Sequence, residues 1–126
     1  SPYWLANRLF FLRILKNRLI LRYGIDTGFN VIIGPGLKIV HLGGIVIHEK
    51  AIIGANFTIM NNVTIGQKNS HVHVPIIGDN VRIGVFSAVL GKIWLGNNVV
   101  VGSHTLVNSS FDNNSKLIGV PARNID

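Results

Sequence analysis

Two stretches of this sequence carry side chains able to move protons. His41 stands in the run GPGLKIVHLGGIVI, fifteen positions after Asp26. A carboxylate bonded to one imidazole nitrogen fixes the tautomer and raises the basicity of the ring. The other nitrogen can then take a proton from a hydroxyl nucleophile. By residue type and spacing alone, the two read either as such a dyad or as a turn residue and an acid at the start of the first repeat. The second stretch, Lys68–Pro75 (KNSHVHVP), holds His71 and His73. His-x-His raises the question of zinc, which takes three or four protein ligands. His104 is the remaining distant histidine in that part of the chain and does not complete a familiar spacing, so no metal is expected and His71 reads as a solvated loop residue. The chain has no cysteine, which excludes disulfides, thiolate metal sites and a cysteine nucleophile.

The elements that must position these groups follow from a repeat. From Ile33 an aliphatic residue returns every six positions: Ile33, Ile39, Ile47, Ile53, Ile59, Ile65, Ile77, Ile83, Val89, Leu95, Val101, Val107. The phase slips by two between Ile39 and Ile47, where His41 lies, and by six between Ile65 and Ile77, where the second histidine stretch lies. A period of six fits neither an α-helix nor an alternating strand. It fits an all-β fold, a parallel β-helix of three short faces with about 18 residues per coil, whose aliphatics stack inside the prism. Glycine and asparagine mark the corners, as in Ala55-Asn56, Asn61-Asn62, Asp79-Asn80 and Asn97-Asn98. A bulge at the first slip would lift His41 off the flat face toward a neighbour, with Asp26 on an adjacent coil. The second slip predicts a loop over 67–75 that projects from the prism.

Three segments result: an arm over 1–23, the β-helix over 24–118 and a tail over 119–126. The arm carries Arg8, Arg13, Lys16, Arg18 and Arg22 and no acid, so most of the net charge of +7 belongs to it. Its apolar residues, among them Trp4, Leu5, Leu9, Phe10 and Leu19, do not gather on one stripe, which predicts a helix or two buried on several sides. Charges interrupt it too often for a membrane span, and no small-residue cleavage site follows before Asp26. It suits packing in a homo-oligomer, or peripheral contact with an anionic membrane. Apolar residues make up 48% of the chain and charged residues 13%, a composition that also implies a large buried surface in an assembly. Basic residues are not spread over a reading surface, so nucleic-acid binding is not expected.

Three motifs carry a family resemblance: IDTGFNVIIGPGLKIVHLGGIVI, the repeat NNVTIG…PIIGDNVRIG, and GVPAR at Gly119–Arg123. Over Asp26–Arg123 the sequence resembles the serine O-acetyltransferase branch of the hexapeptide-repeat acyltransferases, left-handed β-helices whose relatives include enzymes that acetylate sugars of surface polysaccharides. The resemblance implies that Asp26 and His41 form the catalytic dyad, since the branch has the same Asp-to-His spacing and follows the His with Gly-Ile-Val, here Gly44-Ile45-Val46. It implies a cytoplasmic homotrimer that transfers acetyl from acetyl-CoA to a hydroxyl without a metal, the donor lying between adjacent subunits. Backbone amides at Val85 and Ser103 would hold the pantetheine arm, and Arg123, Lys92 and Lys116 would lie near the CoA phosphates.

The sequence also departs from the branch. Serine-specific members carry an Asp directly before the His and an Arg-His pair before the loop Pro; here Val40, His73 and Val74 stand there. His73 and Val40 would face the substrate, and a site without those charges is expected to prefer a sugar hydroxyl, at the inner face of a membrane, over a zwitterionic amino acid. Serine acetylation in cysteine biosynthesis is the alternative. A non-catalytic β-helical assembly module is the alternative of another class.

Overall fold

The computed structural model describes residues 2–28 and 30–126 and, within the first helix, the side chains of residues 10–18 and 20–23. One helix, α1 (Pro2–Tyr23), precedes the β-structure, where one or two were expected. Gly24 ends it with φ +65° and donates its N–H to the Ile20 carbonyl at 3.0 Å. A residue with a Cβ would be strained in that left-handed cap. An added Cβ would also lie 2.7 Å from the Gly43 Cα. The apolar residues Trp4, Leu5, Leu9 and Leu19 and the cation Arg8 lie outside the described side chains.

Fifteen short strands wind into a left-handed β-helix of about five turns. The first face stacks β1 (Ile25–Thr27), β4 (Ile45–Ile47), β7 (Thr64–Gly66), β10 (Ala88–Leu90) and β13 (Leu106–Val107). The second stacks β2 (Ile32–Ile33), β5 (Ile52–Ile53), β8 (Ile76–Ile77) and β11 (Trp94–Leu95). The third stacks β3 (Lys38–Ile39), β6 (Thr58–Ile59), β9 (Arg82–Ile83), β12 (Val100–Val101) and β14 (Lys116–Ile118), and ends on β15 (Arg123–Asn124). Among the described strands all pairings are parallel except β14 with β15, which turns the 119–126 tail back on the last coil.

Inside the prism the aliphatics meet as the period requires. Ile33, Ile53, Ile77 and Leu95 are in register on the second face, and Ile47, Ile65, Val89 and Val107 on the first. Phe57, Ile59, Val63, Ile65, Val81, Ile83, Val89, Val99 and Val107 are fully buried. Each such aliphatic contributes about 1.5–3 kcal/mol by leaving water. Asn56, Asn62, Asn80 and Asn98 occupy the corners with positive φ, as their residue type suggested. A ladder of side-chain caps locks the edge between the second and third faces. There Asp79 Oδ1 accepts the Ala55 N–H at 2.8 Å, Asn97 Oδ1 that of Asp79 at 2.8 Å, and Asn113 Oδ1 that of Asn97 at 2.6 Å.

The register explains both slips. Ile77 pairs with Leu95 and Val89 with Val107, which is the regular coil of three six-residue steps. Ile25 pairs with Ile45 and Ile33 with Ile53, a coil longer by two. Ile53 pairs with Ile77 and Ile59 with Ile83, a coil longer by six. The slips are insertions of those lengths at prism edges, and no face is lost. The longer one leaves the prism over 67–72, but Val74 and Pro75 fold back into buried positions, so the projection is shorter than 67–75.

Candidate active site

His41 sits in the shorter insertion, in the corner that follows β3 and opens β4, and is exposed. Asp26 lies on β1, directly opposite Val46 of β4, with its side chain on the outer surface of the first face. The two residues therefore belong to neighbouring coils. In this single chain the Asp26 carboxylate is engaged elsewhere: Lys16 Nζ of α1 lies 3.6 Å from its Oδ1. Among the described residues no hydrogen bond joins Asp26 to His41.

Beside Asp26 is a cavity of about 230 Å³ whose walls include Lys16, Val46, His48, Glu49 and His71. Its polar groups are ordered by one another. His48 Nδ1 accepts the Lys50 N–H at 3.0 Å, which leaves the proton on Nε2, 3.0 Å from Gln67 Oε1. His71 Nε2 lies 3.3 Å from Glu49 Oε1, and its ring packs on His48 with centroids 4.8 Å apart. His71 is a solvated loop residue, as expected, whose ring also joins this side-chain cluster. Sequence reasoning missed Lys16, His48 and Glu49, because nothing local says that α1 and the loop descend on the same coil. Among the described residues no group of three or more His, Cys, Asp or Glu side chains is arranged to hold a metal.

A second relationship runs along the edge between the third and first faces. Asn62 donates its N–H to the Gly43 carbonyl at 2.8 Å, Phe86 to Asn61 at 3.2 Å, and His104 to Val85 at 2.9 Å. One column thus contains the corner of His41, then Asn61–Asn62, Val85–Phe86 and Ser103–His104. Leu106 donates to Gly119 at 3.0 Å, which brings the GVPAR segment to the end of that column. Val85 and Ser103 are one coil apart, and among the described residues neither N–H has a carbonyl acceptor. Arg123 of β15 pairs with Ile118, next to Lys116 on β14, and both cations are exposed. Lys92 is separated from them: it follows β10 at the edge between the first and second faces, after Gly91, whose neighbour there is the Lys68 side chain. Val40 is part-buried and held by its N–H to Ile59 at 3.0 Å. His73 is tied by its backbone to Lys68 and Ser70 inside the loop.

The model of the bacterial transferase hexapeptide family (six repeats) matches residues 75–109. Serine acetyltransferase 1, chloroplastic, of Arabidopsis thaliana is 35% identical over 122 residues, covering 95% of this chain and 39% of the plant protein. Serine acetyltransferase from Brucella abortus superposes with a TM-score of 0.89 at 30% identity, over 97% of this chain and 50% of that one. The chain is a hexapeptide-repeat β-helix, similar over nearly all of its length to serine acetyltransferases. Neisseria gonorrhoeae serine acetyltransferase in complex with serine superposes with a TM-score of 0.86 at 33% identity, over 95% of this chain and 50% of that one. The chain spans less than half the length of the curated relatives it matches. The shared part includes α1 as well as the β-helix, since the superpositions cover nearly the whole chain.

Proposed function

We propose that this chain carries out acetyl-CoA-dependent O-acetylation, with His41 as general base and Asp26 as the group that orients it. The observation that carries this reading is the column from the His41 corner through the Val85 and Ser103 amides to the GVPAR segment. It offers a proton acceptor, two backbone donors one coil apart and a cationic end, in the order an acyl-CoA would need them. His41 takes the proton of the acceptor hydroxyl as the oxygen attacks the thioester carbonyl. The tetrahedral intermediate collapses, the C–S bond breaks, and the proton passes from the imidazolium to the departing CoA thiolate. For this, Asp26 must exchange its Lys16 partner for His41. Arg123 and Lys116 suit the CoA phosphates, whereas Lys92 is too far round the prism to join them.

The acceptor favoured by the relatives' names is serine, the alternative in the sequence reading, rather than the sugar hydroxyl preferred there. In the cavity beside Asp26, Lys16 supplies a cation for a carboxylate, and Glu49 an anion for an ammonium group. The second reading, a sugar hydroxyl, is favoured by Val40, which offers no charge beside His41. Measuring CoA thiol release with L-serine and with nucleotide-linked sugars, for wild type and His41→Ala, tests both. Serine-dependent release lost in the variant supports the first reading, and sugar-dependent release lost in the variant supports the second. No release with any acceptor refutes the enzymatic reading.

Association into a homotrimer is supported by an exposed apolar ladder on the second face. Ile32, Ile52, Ile76 and Trp94 are mutual register partners with their side chains outward. A monomeric mass in sedimentation would refute it. Contact of the arm with an anionic membrane at the cytoplasmic face is supported by exposed Phe10, Phe11, Ile14 and Leu21 among the exposed cations Arg13, Arg18 and Arg22. No helix among the described residues is long and apolar enough to cross a membrane. Failure to sediment with anionic vesicles would remove that contact.

A further inference from the structure

At the edge between the third and first faces, the left-handed turn is taken by Gly44, Asn62, Phe86 and His104, with φ of 64°, 57°, 59° and 56°. Among the described residues, every other non-glycine with positive φ is an asparagine. Glycine lacks the clashing Cβ, and asparagine tolerates the conformation through local hydrogen bonding. A phenylalanine in it is an outlier. Burial does not repay the strain, because Phe86 is 54% exposed. Its ring stacks on His104 with centroids 5.2 Å apart and planes at 11°, but one exposed stack is a weak return for two strained residues. Strain of this kind persists at sites that clamp ligands.

The neighbours say which ligand. Val85 and Ser103 directly precede the two rings, and their N–H groups have no carbonyl acceptor among the described residues. The same column reaches the His41 corner at one end and Gly119 at the other. Consecutive strands of a sheet lie about 4.8 Å apart, so the three steps from Gly44 to His104 span roughly 14 Å.

We propose that the Phe86–His104 stack is one wall of the donor groove, where the amide-bearing thioester arm of an acyl-CoA lies along the edges of both rings. The arm's carbonyls accept from the Val85 and Ser103 amides, and the rings cover its methylene segments. This makes Phe86 and His104 determinants of donor affinity, with no part in the proton transfer. The inference rests on the acetyl-CoA reading above.

The test is calorimetric titration of CoA into the full chain, wild type against Phe86→Asn and Phe86→Trp. Asparagine suits the backbone at this corner, so Phe86→Asn is expected to keep or raise the thermal midpoint while weakening CoA binding roughly tenfold. Phe86→Trp keeps an aromatic wall and retains affinity near wild type. In turnover, the KM for acetyl-CoA rises in Phe86→Asn while the KM for the acceptor stays. If wild type binds CoA and Phe86→Asn binds it equally well, the wall is refuted and the donor reading stands. If wild type itself does not bind CoA, both fall. A drop in assembly mass with unchanged CoA affinity would assign the rings to a subunit interface and overturn the proposal.

Discussion

The Lys16 ammonium lies 3.6 Å from the Asp26 carboxylate, and this ion pair ties the middle of α1 to the first strand of the solenoid. Both side chains are substantially exposed, at 33% and 48%, so water screens the pair. Exposed pairs of this kind are worth about 0–1 kcal/mol. Replacing Lys16 by Met should therefore shift the urea midpoint little. If Asp26 must turn to His41 for catalysis while Lys16 holds the acceptor carboxylate, the same variant keeps or raises kcat and raises the KM for serine. A fall of tenfold or more in kcat would mean that Lys16 serves the reaction.

Asp26→Asn and His41→Ala would each break the proposed dyad in a fold that neither side chain supports from inside. General-base catalysis contributes on the order of 10²–10⁴ in rate. Losses of kcat/KM of that size are expected in each variant, with unchanged far-ultraviolet circular dichroism. The double variant should be little worse than either alone, since the pair acts as a unit. Additive losses would show that the two residues work independently.

Ile65 is fully buried and stacked between Ile47 and Val89. Truncation to Ala leaves a cavity that a stacked solenoid can collapse only partly. A destabilisation of about 2–5 kcal/mol is expected, read from chemical denaturation. Ile52 lies on the second face and points outward, so Ile52→Ala should cost far less in a monomer. A large cost at Ile52 would be read as loss of the assembly.

Ser87 is a buried polar side chain with both capacities used. Its Oγ donates to the Gly102 carbonyl at 2.8 Å and accepts the Thr105 N–H at 3.2 Å. Ser87→Ala strands a buried donor and deprives a carbonyl of its partner, at a cost of about 1–3 kcal/mol. Because Ser87 adjoins Phe86, hydrogen exchange at Thr105 should accelerate in this variant, and unchanged protection there would refute the local account.

His71→Ala removes the ring that bridges Glu49 and His48. A stability change below about 1 kcal/mol is expected for such exposed contacts. If the cavity receives the acceptor, the acceptor KM rises while the acetyl-CoA KM does not move. Equal effects on both, or on neither, would take the cavity out of the reaction.

The sequence by itself determined the prism. A six-residue period is a local code, because each inward aliphatic must be followed by a turn and a residue that fits the next edge. The positions of the two insertions, the Asn corners and the residues of the core were legible for that reason. So was the pairing of Val85 with Ser103, which lies in a part of the chain without insertions.

What meets what across coils was decided only by the tertiary structure. The insertions lengthen individual coils by two and by six before the regular length sets in, so the partner of an outward side chain does not follow from a constant offset. The docking of α1 brings Lys16 to Asp26, and the loop brings His71 to Glu49 and His48, contacts that no period encodes. Lys92 reads like the other cations in the sequence but lies on a different edge. Phe86 could have been noticed at a turn position that prefers Gly or Asn, yet its partner His104 and its place above the His41 corner emerge only when the coils stack. A one-dimensional repeat specifies which side chains point in; which outward side chains become neighbours depends on how insertions and the terminal helix set the coils against one another.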